Sequence, residues 1–313
     1  MTTLERLDSW KTGGVISDAQ HATLSALVTR QRFSIFVELN ALLYLGVLST
    51  VGGLTWTFRD YVDDLGDAAI LSILVLLMTA AFADCVARGA PYAHDEVQSP
   101  SLAFDYVLYF GCLIFSAALG FIETRFGLLG GWQTHLLAAA IVFGGLAYRF
   151  DNRFVLSLAL TTLAAYLGLK LSVFDDLATA RLRASAMAYG GFLLGTGWAL
   201  QRQGIKRHFL DVYLQLGANA MLLSAAVGAL ESPYRNGYLL ILLMGCAAAI
   251  FLGVRFRRFA FVADGLLYGY FIGSFRLLSL GSDLIVSFGY FTLTGTLVVI
   301  GLVLLARRFG RDE

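Results

Sequence analysis

Charge is scarce in this chain. Only 14% of its 313 residues are Asp, Glu, Lys or Arg, where a water-soluble domain carries about a quarter. Hydrophobic residues make up 58%, and the mean hydropathy is +0.72. Such an apolar surplus must face lipid. Net charge is +1, so nothing global draws the chain to nucleic acid or to an acidic partner. Proline is also scarce. Pro91, Pro100 and Pro233 are the only three, all between apolar runs, so no run is broken by proline. The three cysteines, Cys85, Cys112 and Cys246, are odd in number and lack CxxC spacing. This excludes a disulfide framework and argues against a zinc site. Each sits in an apolar run and reads as a small buried hydrophobe. HExxH, GxSxG, a Walker A loop and paired histidines at metal spacing are all missing. An enzyme is therefore not expected, nor a cofactor or metal. The polar first 33 residues do not read as a signal peptide.

What the sequence has in abundance is apolar runs. Ten lie near 34–58, 67–87, 102–122, 131–149, 154–173, 184–201, 209–230, 237–254, 259–279 and 284–306. Each is about long enough to cross a hydrocarbon core of roughly 30 Å. Period-2 alternation is lacking, and runs of this length in lipid must satisfy their own backbone, so helices are expected. The fold class is an all-α polytopic membrane protein with about ten transmembrane helices.

With ten spans both termini share a side. Sixteen of the 23 Lys and Arg fall on that side and six on the other, with Arg276 inside a run. The positive-inside rule then puts both termini in the cytoplasm. Trp56 and Trp132 fall at the expected outer interface and Trp198 at the inner one.

The run from Ala138 to Leu169 shows how the spans are joined. Two apolar, small-residue-rich segments flank Arg149-Phe150-Asp151-Asn152-Arg153-Phe154, and the pattern returns from Ala247 to Ser274. We read these as repeated helical hairpins with basic turns at the cytoplasmic face. The arginines anchor at the interface while the rings sit at the acyl boundary. Arg149, Arg153, Arg255, Arg257 and Arg258 are candidates for anionic lipid headgroups.

Residues 1–33 form a small cytoplasmic module. Leu4, Leu7 and Trp10 share a helical face, Gly13-Gly14 breaks the helix, and Ser17 or Asp18 can cap a second one lined by Leu24, Leu27 and Val28. A helix-turn-helix-like pair is expected, too small to be stable alone, that docks on a partner, a second copy or the membrane domain. Residues 34–306 are the transmembrane domain, and 307–313 a basic cytoplasmic tail.

Carboxylates inside apolar runs are costly and mark candidate sites. They are Glu38, Asp84, Asp105, Asp211 and Asp264, all near the expected cytoplasmic ends. Helix N-termini and neighbouring arginines explain most of them as caps and ion pairs. The sharper alternative is an ion pathway, for which Glu38 and Asp264 lie deepest. Gly265, Gly269 and Gly273 form a doubled GxxxG packing face, and Gly191 and Gly195 a single one. Arg276 extends the first stripe, with Glu231, Asp283 or Glu123 as expected partners. His135 reads as a polar anchor at the outer end of its helix.

The run Gly14-Val15-Ile16-Ser17-Asp18-Ala19-Gln20, followed by Tyr44-Leu45-Gly46, Gly52-Gly53 and Trp56, resembles a bacterial family of predicted membrane proteins, domain of unknown function 2157. The motifs that carry the likeness lie in residues 1–58. It implies a polytopic inner-membrane protein and brings no activity with it. The span count and inner-end carboxylates suggest a transporter or channel-like protein for a small solute or ion. The alternative is a non-transporting scaffold or sensor associating through its N-terminal pair, as a homo-oligomer or with another protein.

Overall fold

The computed structural model describes residues 3–28, 43, 45–53, 56–57, 66–128, 130–170, 180–279 and 284–309. Among them there are helices and no strands. The chain divides into two compact units: Val47–Leu293, and Met1–Gly46 with Thr294–Glu313.

The second of these holds α1 (Thr3–Thr12) and α2 (Asp18–Val28). Local chemistry shapes the pair. Gly14 takes φ 70°, the left-handed position that ends a helix most cheaply when it is glycine. Val15 N–H then reaches back to Trp10 O at 2.9 Å, and Gly14 N–H to Lys11 O at 3.0 Å. Ser17 opens α2 with a reciprocal capping box. Gln20 N–H donates to Ser17 Oγ at 3.3 Å, and Ser17 N–H to Gln20 Oε1 at 2.8 Å. Lys11–Asp18 at 3.0 Å and His21–Asp8 at 2.8 Å tie the helices together, and Leu7 is buried. Ser17→Ala removes one cap, worth about 1 kcal/mol. Amide exchange in the first turn of α2 is therefore expected to quicken about fivefold, measured on the whole protein by mass spectrometry.

The larger unit contains α3 (Asp67–Arg88), α4 (Leu102–Phe126), α5 (Trp132–Phe150), α6 (Arg153–Lys170), α7 (Ala180–Gln203), α8 (Leu210–Glu231), α9 (Arg235–Arg255) and α10 (Phe259–Leu278). α11 (Leu284–Phe309) runs from it into the other unit. These nine helices begin and end within four residues of nine of the expected apolar runs. Five are long and apolar enough to cross a membrane: α3, α4, α8 (as Arg207–Leu230), α9 and α11. The first expected run, 34–58, lies mostly outside the described residues.

Contacts concentrate in consecutive pairs: α3 with α4, α5 with α6, α7 with α8, α9 with α10. The largest core lies among α3 to α8, around Cys85, Leu108, Phe143, Leu156, Leu193 and Phe209. Outward faces stay apolar, as lipid requires. On α9, Leu240, Met244 and Phe251 are all exposed.

Candidate functional site

Three connections meet at one end of the larger unit: residues 89–101, the α5–α6 turn and the α7–α8 turn. Their meeting point is Asp151. It follows the last turn of α5 in the left-handed region, φ 59°, which Asp tolerates better than most side chains. Its carboxylate accepts from Val97 N–H, from His208 Nε2 and from Lys206 Nζ at 3.0 Å. The Lys206 and Asp151 side chains are only 1% and 2% exposed. Lys206 Nζ also donates to Asp95 O at 3.3 Å and lies 5.3 Å from the centre of the Tyr92 ring. Its own N–H donates to His94 O at 2.8 Å. Every arm of this ion pair is bonded, the condition under which a buried pair is tolerated.

A second carboxylate sits beside it. Asp105, in the first turn of α4, accepts from Ser99 Oγ at 2.7 Å and Asn152 Nδ2 at 2.8 Å. Asn152 Oδ1 in turn accepts from Val155 N–H at 2.9 Å, capping α6. Arg153 holds Glu96 at 2.7 Å, and Arg149 donates to Ala90 O at 2.8 Å. The expected basic turn is thus a clasp over residues 89–101.

The other expected carboxylates are distributed singly. Asp84 pairs with Arg88 at 2.8 Å, one turn along α3. Asp211 pairs with Arg258 at 2.6 Å. Glu38 lies outside the described residues. Asp264 is the one that reaches the interior between α8 and α10. It accepts from Gln215 Nε2 and from Asn219 Nδ2, the latter at 2.9 Å. Tyr268 OH donates to Asn219 Oδ1 at 3.3 Å, which turns the Asn219 amide nitrogens toward Asp264. Gln215 and Asn219 are one turn apart and so share a face of α8.

Arg276 reaches from α10 to the end of α8. Its described bond goes to a backbone carbonyl, Ala229 O, at 3.3 Å. That carbonyl is in the last turn of α8, where acceptors lack helical partners and the dipole favours a cation. Asp283 and the Glu231 side chain are outside the described positions. His135 is buried rather than interfacial. It stacks on Trp132 with ring centres 5.3 Å apart and meets Ser116 Oγ at 3.2 Å.

The glycine faces are also redistributed. Gly265 packs closely on Cys246 O and Ile250 of α9, whereas among the described residues added methyls at Gly269 and Gly273 would meet nothing within 4 Å. Gly191 and Gly195 likewise face open space. Close α7–α8 approach uses Gly190, Gly197 and Gly217 instead.

Two cavities flank α6. One, about 270 Å³, lies between α6, α7 and α8. The other, about 290 Å³, lies between α5, α6 and α8 beside the Tyr148–Tyr213 hydroxyl pair. Leu160 borders both. Aliphatic and small residues dominate their walls. Among the described residues no group of His, Cys, Asp and Glu could hold a metal ion.

Sequence reasoning missed Asp151, Lys206 and His208 as one cluster. A single acid within a basic turn was the available signal.

Lipid-length apolar helices with outward apolar faces define a helical membrane protein. The model of the family described as "Predicted membrane protein (DUF2157)" matches residues 8–156 of the chain. The match runs well past the N-terminal motifs and takes in residues 89–101 and the α5–α6 turn. No curated protein and no solved structure matches the chain significantly.

Proposed function

We propose that this is a multi-pass scaffold or sensor of a bacterial cytoplasmic membrane. It has about ten spans built as hairpins, both termini in the cytoplasm, and α1–α2 as its associating module. The observation that carries this reading is how the carboxylates are spent. Asp84, Asp105 and Asp211 each hold a neighbouring cation or cap, and Asp264 holds two amides. The two cavities flanking α6 have no carboxylate in their walls, which are mostly aliphatic and small residues. A carrier places polar side chains or broken helices at mid-membrane. Among the described residues, the reading as a transporter or channel for a small solute or ion rests on Asp264 and Arg276, and gains little from this arrangement.

The orientation is supported by the sixteen-to-six split of Lys and Arg. A partner or second copy at residues 1–33 is supported by Trp10 and Val15, exposed on the hairpin tip. Anionic headgroups at Arg149, Arg153, Arg255, Arg257 and Arg258 are part of the proposal. Arg255 carries most of it, since Arg149, Arg153 and Arg258 already hold Ala90 O, Glu96 and Asp211.

Deletion of residues 1–33 tests the proposal. The shortened protein is expected to insert normally and to lose its partners in a crosslinking pull-down. Retention of every partner would refute it.

A further inference from the structure

We infer that the cavity between α6, α7 and α8 is a binding site for one acyl chain of a membrane lipid.

The cavity comes from residue size. Ala164 and Gly168 of α6, Ala186 of α7 and Ala220 of α8 all border it. Small residues usually let helices close up. Here α7 closes on α8 at Gly190 and Gly217, while α6 touches α7 far less. The volume left, about 270 Å³, opens at its rim between the helices.

The walls say what fills it. None of the residues bordering the cavity is charged. The polar groups there are already bonded. Tyr189 OH donates to Leu160 O at 2.6 Å, Thr161 Oγ1 to Ser157 O at 2.9 Å, and Ser185 Oγ to Leu182 O at 2.9 Å. Asn219 spends its amide on Asp264, Gln215 O and Tyr268. A polar solute would give up water and find no free partner, whereas a hydrocarbon chain gives up nothing. Leu216 to Leu223 lie in the middle of the apolar span Arg207–Leu230, at the depth where acyl chains are the solvent. Thr161 and Leu223 at the rim are exposed, so a chain can enter sideways. This site does not depend on whether α1–α2 recruit a partner.

The test uses the full-length protein in phosphatidylcholine vesicles. A phosphatidylcholine with a diazirine on one acyl chain is added at rising mole fraction, and crosslinked peptides are mapped by mass spectrometry. Label on residues 161–168 and 182–189 is expected to saturate at low mole fraction. Label on the open face of α9, at Leu240, Met244 and Phe251, is expected to rise linearly as for bulk lipid. Ala186→Phe with Ala220→Phe fills the space and is expected to cut the saturable label at least fivefold, leaving α9 unchanged. A linear rise at both places overturns the proposal, as does undiminished label in a monodisperse filled variant. Saturation in the unaltered protein decides alone if the filled variant does not fold.

Discussion

Lys206→Met is expected to destabilise the protein by about 3–5 kcal/mol, the range for removing one partner of a buried ion pair. The magnitude follows from what is left behind. Asp151 would be left at 2% exposure, with Val97 N–H and His208 as its remaining partners. Lys206 also anchors residues 89–101 by donating to Asp95 O. The loss should therefore be local as well as global. Protease should cut between Pro91 and Val97 in the variant at concentrations that spare the parent. Removing the stranded charge as well gives the decisive comparison. Asp151→Asn keeps a carbonyl oxygen for Val97 N–H and tolerates the left-handed backbone. The double variant Lys206→Met with Asp151→Asn is expected to be more stable than Lys206→Met alone, the non-additivity of groups in direct contact. Denaturant unfolding in detergent measures all three. A loss below about 1 kcal/mol, with residues 89–101 still protected, would mean the pair is not the clasp described.

The contrast between that cluster and the helices shows what a sequence makes legible. Helix positions were readable because an apolar run is a local signal, and nine helices fall within four residues of their runs. The motif at Gly14 to Gln20 was readable for the same reason, since a left-handed glycine and a Ser–Gln box act over six residues. Asp151 is different. Its partners Val97, Lys206 and His208 lie 54, 55 and 57 positions away in the chain, and no local pattern joins them. Arg153 and Arg149 looked like anchors for lipid phosphate. Both also hold partners more than fifty residues upstream, Glu96 and Ala90 O. A carboxylate partner was expected for Arg276 because side-chain charge is visible in a sequence; its bond to Ala229 O at a helix end was not. Asp264 was singled out, with Glu38, for its depth inside an apolar run. Its amide partners at 215 and 219 were hidden among the small and apolar residues of α8.

The sharpest demonstration of that limit is one residue wide. Gly190→Ala is expected to destabilise the protein by about 1–3 kcal/mol, the usual effect of overpacking, and Gly191→Ala to leave it unchanged or slightly stabler. Spacing alone favours Gly191 and Gly195, four apart. Burial chooses otherwise: Arg183, Gly190, Leu193 and Gly197 lie on the covered face of α7, while Gly191 and Gly195 are exposed beside Phe192. A methyl at Gly190 would come within 2.6 Å of Gly217 O and 2.5 Å of Met221 Cγ. The methionine can swing away. The carbonyl belongs to the backbone of α8 and cannot, so the two helices must part. At Gly191 the same methyl meets nothing and removes the extra backbone entropy that glycine loses on folding. Parting α7 from α8 also shifts Tyr189 against Asn219, both on the wall of the acyl cavity. Gly190→Ala should then raise the lipid mole fraction at which residues 182–189 saturate, and Gly191→Ala should not. Paired unfolding and labelling curves check both effects. Equal behaviour of the two variants would show that the Gly190–Gly217 contact does not set the distance between α7 and α8.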